Sequence, residues 1–186
     1  MRSLADLMRN FLQVGYVTDD MDAAADYLES KFGTVKCMRH YRSSLGRANP
    51  DAAPGSWVKV GGETADEWLI DVALVNAGAT NLEIIRPVDG AVDLYRGVIR
   101  PGVPATLHHL GFRIDDFDAA SAVVAASGRQ WAQFGVSGDV RFGYLDASDT
   151  LGHFIEVMEL GPDSSAMFAE LAAQSNLEAQ PDAGPA

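Results

Sequence analysis

Cysteine is nearly absent. Cys37 stands alone in 186 residues, so no internal disulfide can form, and one thiol with four histidines cannot build a cysteine-based zinc site. Long apolar runs are missing as well: no eighteen consecutive apolar residues occur, and Met1 to Gln13 lacks the continuous apolar core of a secretory signal, which makes the cytoplasm the expected location. Basic residues are scarce. Fourteen Lys and Arg stand against 26 Asp and Glu, and the resulting charge of −12 argues against nucleic acid or an anionic membrane as partner, since both are bound through basic surfaces. What basic charge exists is clustered: Lys36, Arg39, Arg42, Arg47 and Lys59 share a segment with a single acid, Asp51, giving that segment +4 and the remainder −16. Such a segment is either solvated strand and loop or an anion-attracting mouth for a carboxylate- or phosphate-bearing substrate.

What is present is a repeat. Gln13-Val14-Gly15-Tyr16-Val17-Thr18-Asp19-Asp20-Met21-Asp22-Ala23-Ala24 returns 96 residues later as His109-Leu110-Gly111-Phe112-Arg113-Ile114-Asp115-Asp116-Phe117-Asp118-Ala119-Ala120, with six of twelve positions identical. That period is too long for a solenoid unit and points to a duplicated supersecondary module. Each copy reads as an alternating strand, with Leu12, Val14 and Tyr16 on one face and Gln13, Gly15 and Val17 on the other, running into an Asp-capped, alanine-rich helix. The helices are expected over about Met21 to Lys31 and Phe117 to Ser127, stopped by Gly33 and Gly128.

At 47% apolar content the chain can bury one domain or two small modules sharing a core. Leu4, Leu7, Met8 and Phe11 sit at helical spacing and predict a short N-terminal helix over 1–10. The first module spans 11–88: after its helix come a strand over Thr34 to Tyr41, a loop over Ser43 to Gly62, and a hairpin of Trp68 to Val75 with Asn81 to Arg86, ended by Pro87. A linker over 89–105 leads to a second module over 106–161, with strands near Gln130 to Phe134, Val140 to Asp146 and His153 to Leu160. A helix over 162–176 and a disordered tail over 177–186 complete the chain.

Two βαβββ modules, each opening with a ligand-type residue, an apolar residue and Gly before an Asp-Asp helix start, resemble the vicinal oxygen chelate superfamily, which includes glyoxalase I, methylmalonyl-CoA epimerase, extradiol dioxygenases and bleomycin-resistance proteins. The resemblance implies an α+β fold in which the modules form an open, cup-shaped mixed sheet whose concave face holds a divalent metal. It also implies a small-molecule substrate and a homodimer paired through module edges. Carried over by position, the implied ligands are Gln13 and His109 from the first strands and Glu83 and Glu156 from the last. The chemistry agrees, because Glu83 and Glu156 each interrupt an apolar strand where an unpaired carboxylate is costly to bury. His108, by strict alternation, faces away from His109 and is read as structural or exposed.

Three oxygen donors and one imidazole suit Zn, Ni, Co, Mn or Fe(II) with positions left for substrate. The set resembles glyoxalase I enzymes with Gln at the first position; it departs from the epimerase pattern and further from the two-His-one-carboxylate dioxygenase site. The implied activity is that of a metal-dependent isomerase, epimerase or lyase working through a metal-stabilised enolate, with glyoxalase I or a non-catalytic binding protein as the alternatives. Glu156 is the first candidate base and Glu83 the second. Arg42 and Arg47, in the basic segment, and Arg141 and Tyr144, on the penultimate strand, are candidate substrate contacts, whereas His153 is turned away from the metal by alternation. The module-one ligands lie 70 residues apart and those of module two 47, and the surplus falls in Tyr41 to Asp66, a lid or a tolerated insertion.

Overall fold

The computed structural model describes residues 3–32, 39–47, 52–77 and 80–178. In order the elements are α1 (Leu4–Leu7), β1 (Asn10–Val17), α2 (Met21–Phe32), β2 (Arg39–Leu45), β3 (Trp57–Val60), β4 (Glu63–Thr64), β5 (Trp68–Ala77) and β6 (Thr80–Gly90). They continue with α3 (Asp93–Arg96), β7 (Thr106–Ile114), α4 (Phe117–Ala126), β8 (Gln133–Ser137), β9 (Val140–Ala147), β10 (His153–Leu160) and α5 (Pro162–Glu178). The strands form one curled mixed sheet in the order β2-β5-β6-β1-β7-β10-β9-β8-β3-β4. Its first eight positions are a mirror pattern, with β1 and β7 antiparallel at the centre and each parallel to the last strand of its own repeat. This is the expected α+β cup.

The repeated Asp pair behaves as its chemistry requires. The second Asp of each pair caps its helix: Asp20 Oδ1 accepts from Ala23 N–H at 3.0 Å and Asp116 Oδ1 from Ala119 N–H at 2.9 Å. Helix α2 covers the outer face of β1, β5 and β6 through Ala24, Leu28, Val75 and Ile84, while α4 covers the outer face of the second half through Ala120, Val124, Leu145 and Val157. A third cluster, including Trp68, Tyr95, Phe142, Tyr144, Phe154 and Met158, fills the concave side. No helix among the described residues is long and apolar enough to cross a membrane.

Several expectations are corrected. The N-terminal helix is one turn, because β1 begins at Asn10 and takes Phe11 into the strand. Pro87 does not end β6, which runs to Gly90; the proline lies past Ile85, the last residue paired with β1, and beside a register slip against β5, where a missing N–H is tolerated. The segment read as a loop over Ser43 to Gly62 contains the end of β2 and all of β3. Val58 is fully buried and Trp57 packs edge-on against Phe134 at 5.5 Å, so β3 docks on β8 at the far side of the sheet. The linker is not plain either, since it holds α3, with Tyr95 deep in the cup. The expected strand start at Thr34, together with Lys36 and Cys37, lies outside the described residues, as does the tail beyond Glu178.

Candidate metal centre

Register alone assembles the centre. Gly15 of β1 is flanked by Glu83 on β6 and His109 on β7, and Gly111 of β7 is flanked by Glu156 on β10 and Gln13 on β1. Opposed residues in a sheet share a face, so four polar side chains surround two glycines on the concave side. The glycines make the room. A Cβ on Gly15 would sit 1.8 Å from His109 Cε1, and one on Gly111 would sit 2.7 Å from Gln13 Cγ. The Gly of each repeat copy therefore serves the ligand of the other copy, a close-approach role that the repeated Gly signals in sequence but cannot locate.

Gln13, Glu83, His109 and Glu156 converge. Gln13 Nε2 donates to Glu83 Oε2 at 3.1 Å and to Glu156 Oε2 at 3.3 Å. His109 Nε2 lies 3.3 Å from Glu83 Oε2 and 3.2 Å from Glu156 Oε2, yet is aligned as a hydrogen bond to neither and counts as a buried polar atom without a partner. Gln13 Oε1 is a second such atom. Gln13 and His109 are 1% and 0% exposed, so water does not serve these atoms. Burial pushes the Glu83 carboxyl up, opposed by His109 and reinforced by the charge of Glu156. For His109 burial acts downward but is outweighed by the attraction of Glu156 and Glu83, which raises the imidazole to about 9. Two carboxylates facing one imidazole leave surplus negative charge in a dry site. The donor set fits a divalent cation: Glu83, His109 and Glu156 offer atoms within 4.8 Å of one another, and the amide of Gln13, whose two ends are interchangeable in shape, adds a fourth.

His108 departs from expectation. It is fully buried, with its ring stacked on Phe154 and near Tyr95, and its Nδ1 is 3.0 Å from His109 Nδ1. The cause is a β-bulge. The register between β1 and β7 slips between Gly15 and Tyr16, leaving His108 as the extra residue, so alternation fails there and both imidazoles turn inward. A second slip leaves Leu12 extra at the equivalent position of β1, and Leu12 packs on the concave cluster rather than beside Val14 and Tyr16. The acceptors settle the tautomers. Leu94 C=O, 3.3 Å from His108 Nε2, can only accept, so His108 carries its proton there and accepts through Nδ1 from His109 Nδ1–H, which turns His109 Nε2 toward the centre, protonated beside the two carboxylates and free to ligate once that proton leaves. Burial lowers the His108 pKa far below its ordinary value and keeps this ring neutral.

A second chain lies beside Glu156. Gln133, Tyr144 and Glu156 are direct cross-strand neighbours on β8, β9 and β10. Trp68 Nε1–H donates to Gln133 Oε1 at 3.3 Å and Gln133 Nε2–H to Tyr95 Oη at 2.8 Å; the Tyr95 ring meets Tyr144 edge-on at 6.0 Å, and Tyr144 stands opposite Glu156. Burial raises both phenols, so they are neutral donors. Because indole only donates, Gln133 accepts from Trp68 with Oε1 and is left to donate with Nε2 to Tyr95. Short α3 thus supplies the acceptor of one chain, Leu94 C=O, and a member of the other, Tyr95. Nothing in the sequence around Asp89 to Ala105 signals this.

The remaining candidates separate. Tyr144 lines the cup, but Arg42, Arg47 and Arg141 do not. Arg42 binds Asp71 at 2.7 and 3.2 Å on the outer face of β5, where Arg86 joins it, and this holds the Asp71 carboxyl down at about 2, with the Arg42 hydrogen bond the largest cause. Arg47 pairs with Asp66 at 3.0 Å, and Arg141 with Asp118 at 2.5 Å above the Phe117 ring. These carboxylates lie near in space but far in sequence, which is why a basic run looked unpaired. His153 donates to or accepts at no atom of the cluster and turns instead to the Phe154 carbonyl at 2.8 Å. Above the four ligands lies a cavity of about 630 Å³, counted out to solvent, walled by β2, β5, β9 and β10 and spanned by Met167 and Phe168 of α5.

Residues 12–144 match the family described as the glyoxalase/bleomycin resistance protein/dioxygenase superfamily. No curated protein matches the chain. Among solved structures, methylmalonyl-CoA epimerase from Mycobacterium tuberculosis superposes with a TM-score of 0.53 at 18% identity, covering 86% of this chain and 93% of that one. A methylmalonyl-CoA epimerase in complex with methylmalonyl-CoA and ammonium gives 0.54 at 14% identity, covering 83% and 96%. A hypothetical protein from Bacillus halodurans gives 0.52 at 11% identity, covering 82% and 94%.

Proposed function

Because the chain belongs to the glyoxalase/bleomycin resistance protein/dioxygenase superfamily, we propose that Gln13, Glu83, His109 and Glu156 hold a divalent metal and that the protein is an isomerase or epimerase type of enzyme acting on a small oxygenated substrate. The observation that carries this reading is the pair of buried, unpartnered atoms, Gln13 Oε1 and His109 Nε2, inside a ring closed by two carboxylates. When bound, the metal supplies Lewis acidity toward a substrate carbonyl oxygen. The protein's own groups handle the proton. Glu83 and Glu156 come from equivalent strands of the two repeat copies and approach the centre from opposite sides of the β1–β7 junction. One carboxylate takes the proton from the carbon next to the carbonyl, the C–H electron pair moving into an enolate; the other returns a proton to the opposite face, which inverts that carbon.

The two carboxylates are not equivalent. The Glu83 side chain is 14% exposed toward the cavity against 5% for Glu156, and Glu156 has Tyr144 as its cross-strand neighbour. On this reading Glu83 takes the proton and Glu156, which enters the turnover protonated, delivers its own, the two carboxyls re-equilibrating with water of the open cavity before the next turnover; sequence ranks them in the other order. The epimerase likeness supports the reaction type through fold alone. The test has two parts. Purified protein should carry one divalent metal per chain by elemental analysis, lost in His109→Ala; the metal-loaded protein should then exchange the acidic C–H of some member of a panel of chiral 2-substituted acyl thioesters and 2-hydroxy ketones in D₂O. A folded protein that takes up no divalent metal from a chelator-buffered series would sink the reading.

A further inference from the structure

We propose that the substrate of this centre has an uncharged, largely apolar body and carries no second anionic group within the cup. The inference rests on the cup being the substrate site as read above, and deepens it by naming the class. Above the ligands, the wall is formed by Trp68, Ile70, Phe142 and Met158 of the sheet and Met167 and Phe168 of α5. Its polar groups are hydroxyls, those of Ser43, Ser137, Tyr41, Tyr95 and Tyr144. No lysine or arginine lines it among the described residues. Among the described side chains, the nearby guanidinium groups are committed elsewhere: Arg42 and Arg86 to Asp71, Arg47 to Asp66, Arg141 to Asp118.

Charge therefore selects against anions twice. A carboxylate or phosphate pressed against this wall would be desolvated without a cation to replace its water, and the chain as a whole, at −12, repels it on approach. An aromatic ring or branched alkyl group gains by the same contacts. The roof enforces this. Helix α5 is clasped at its start, by Asp139 accepting from Asp163 N–H and Ser164 N–H at 2.8 and 3.1 Å, and at its middle, by Asn76 Nδ2–H donating to Leu171 C=O at 2.7 Å, and Met167 and Phe168 lie between these two points, so their cover is part of the built cavity.

The experiment reads the wall with and without metal. Metal-free protein is titrated with 4-nitrobenzyl alcohol and with 4-nitrobenzoate, following quenching of Trp68, with Trp68→Phe to subtract Trp57 and Trp131. The alcohol should saturate at least about 10-fold more tightly than the carboxylate. Zinc-loaded protein is then titrated with benzohydroxamate, acetohydroxamate and succinic acid monohydroxamate, three chelators that differ in their tails. Benzohydroxamate should bind at least about 10-fold more tightly than acetohydroxamate, and the anionic tail should bind worst. Ser137→Arg, at a partly exposed rim position, should narrow the gap for both anions by placing a cation at the wall. Equal or tighter binding of the anionic probe in either titration, or affinity independent of the tail, overturns the proposal. If no metal binds, the nitrobenzyl titration still decides the substrate class while the metal reading falls.

Discussion

Replacing His108 tests the centre without touching a ligand. His108→Phe keeps the ring stack on Phe154, whose centroid is 4.8 Å away, but removes the acceptor 3.0 Å from His109 Nδ1 and the donor to Leu94 C=O. In metal-free protein His109 can escape by giving up its Nδ1 proton and keeping the one on Nε2, toward Glu83 and Glu156 at 3.3 and 3.2 Å. A metal on Nε2 closes that escape and strands an N–H in a fully buried site. An unsatisfied buried donor costs about 1–3 kcal/mol, which is roughly 5- to 150-fold in affinity and agrees with the ~10–100-fold expected for losing the partner of a metal-ligating histidine. The loss therefore falls on metal binding more than on folding. Competition with a chromophoric chelator for zinc or cobalt measures it, with thermal melting of the metal-free protein as the folding control. His108→Gln, which can accept with Oε1 and donate with Nε2, should recover part of the affinity. A folded His108→Phe protein holding metal as tightly as wild type would refute the tautomer argument, and His108 would be packing only.

Three further outcomes follow from the geometry. Gly15→Ala should abolish metal uptake while retaining strand pairing, because its Cβ would sit 1.8 Å from His109 Cε1; uptake at wild-type affinity, measured by elemental analysis, would show that the ring can relocate. Tyr144→Phe should leave metal content unchanged but slow deuterium exchange by about 10-fold or more, as the phenol on the cross-strand neighbour of Glu156 is lost; unchanged exchange would detach Tyr144 from proton transfer. Asp71 sits at about 2 against an ordinary 3.8, a lowered carboxyl, so the stability it adds is complete above pH 3.8 and is lost as pH falls toward 2. Asp71→Asn should accordingly lose on the order of 2 kcal/mol at pH 7 and flatten that acid limb in urea titrations across pH 2–5; a variant as stable as wild type at pH 7 would mean the two guanidinium groups are as well off in water.

The sequence by itself determined the duplication and the strand-to-helix turn of each copy with its Asp cap, which rest on capping and propensity, and a repeat doubles each signal. The four residues that meet at the centre were named by the family resemblance, with the expense of a carboxylate in an apolar strand in support. Even the glycine after each ligand was visible, though not its purpose. Tertiary structure decided the rest. The bulge that turns His108 inward exists only because β1 and β7 pair with a slip, and strict alternation, the best local rule, puts that side chain on the wrong face. Tyr95 and Leu94 enter the centre because α3 folds back under the sheet, a contact between residues with no pattern in common. Arg42, Arg47 and Arg141 read as a welcome for anions until Asp71, Asp66 and Asp118 meet them across 29, 19 and 23 positions. Whether a charge is free depends on what the chain brings beside it, and that pairing is long-range by nature.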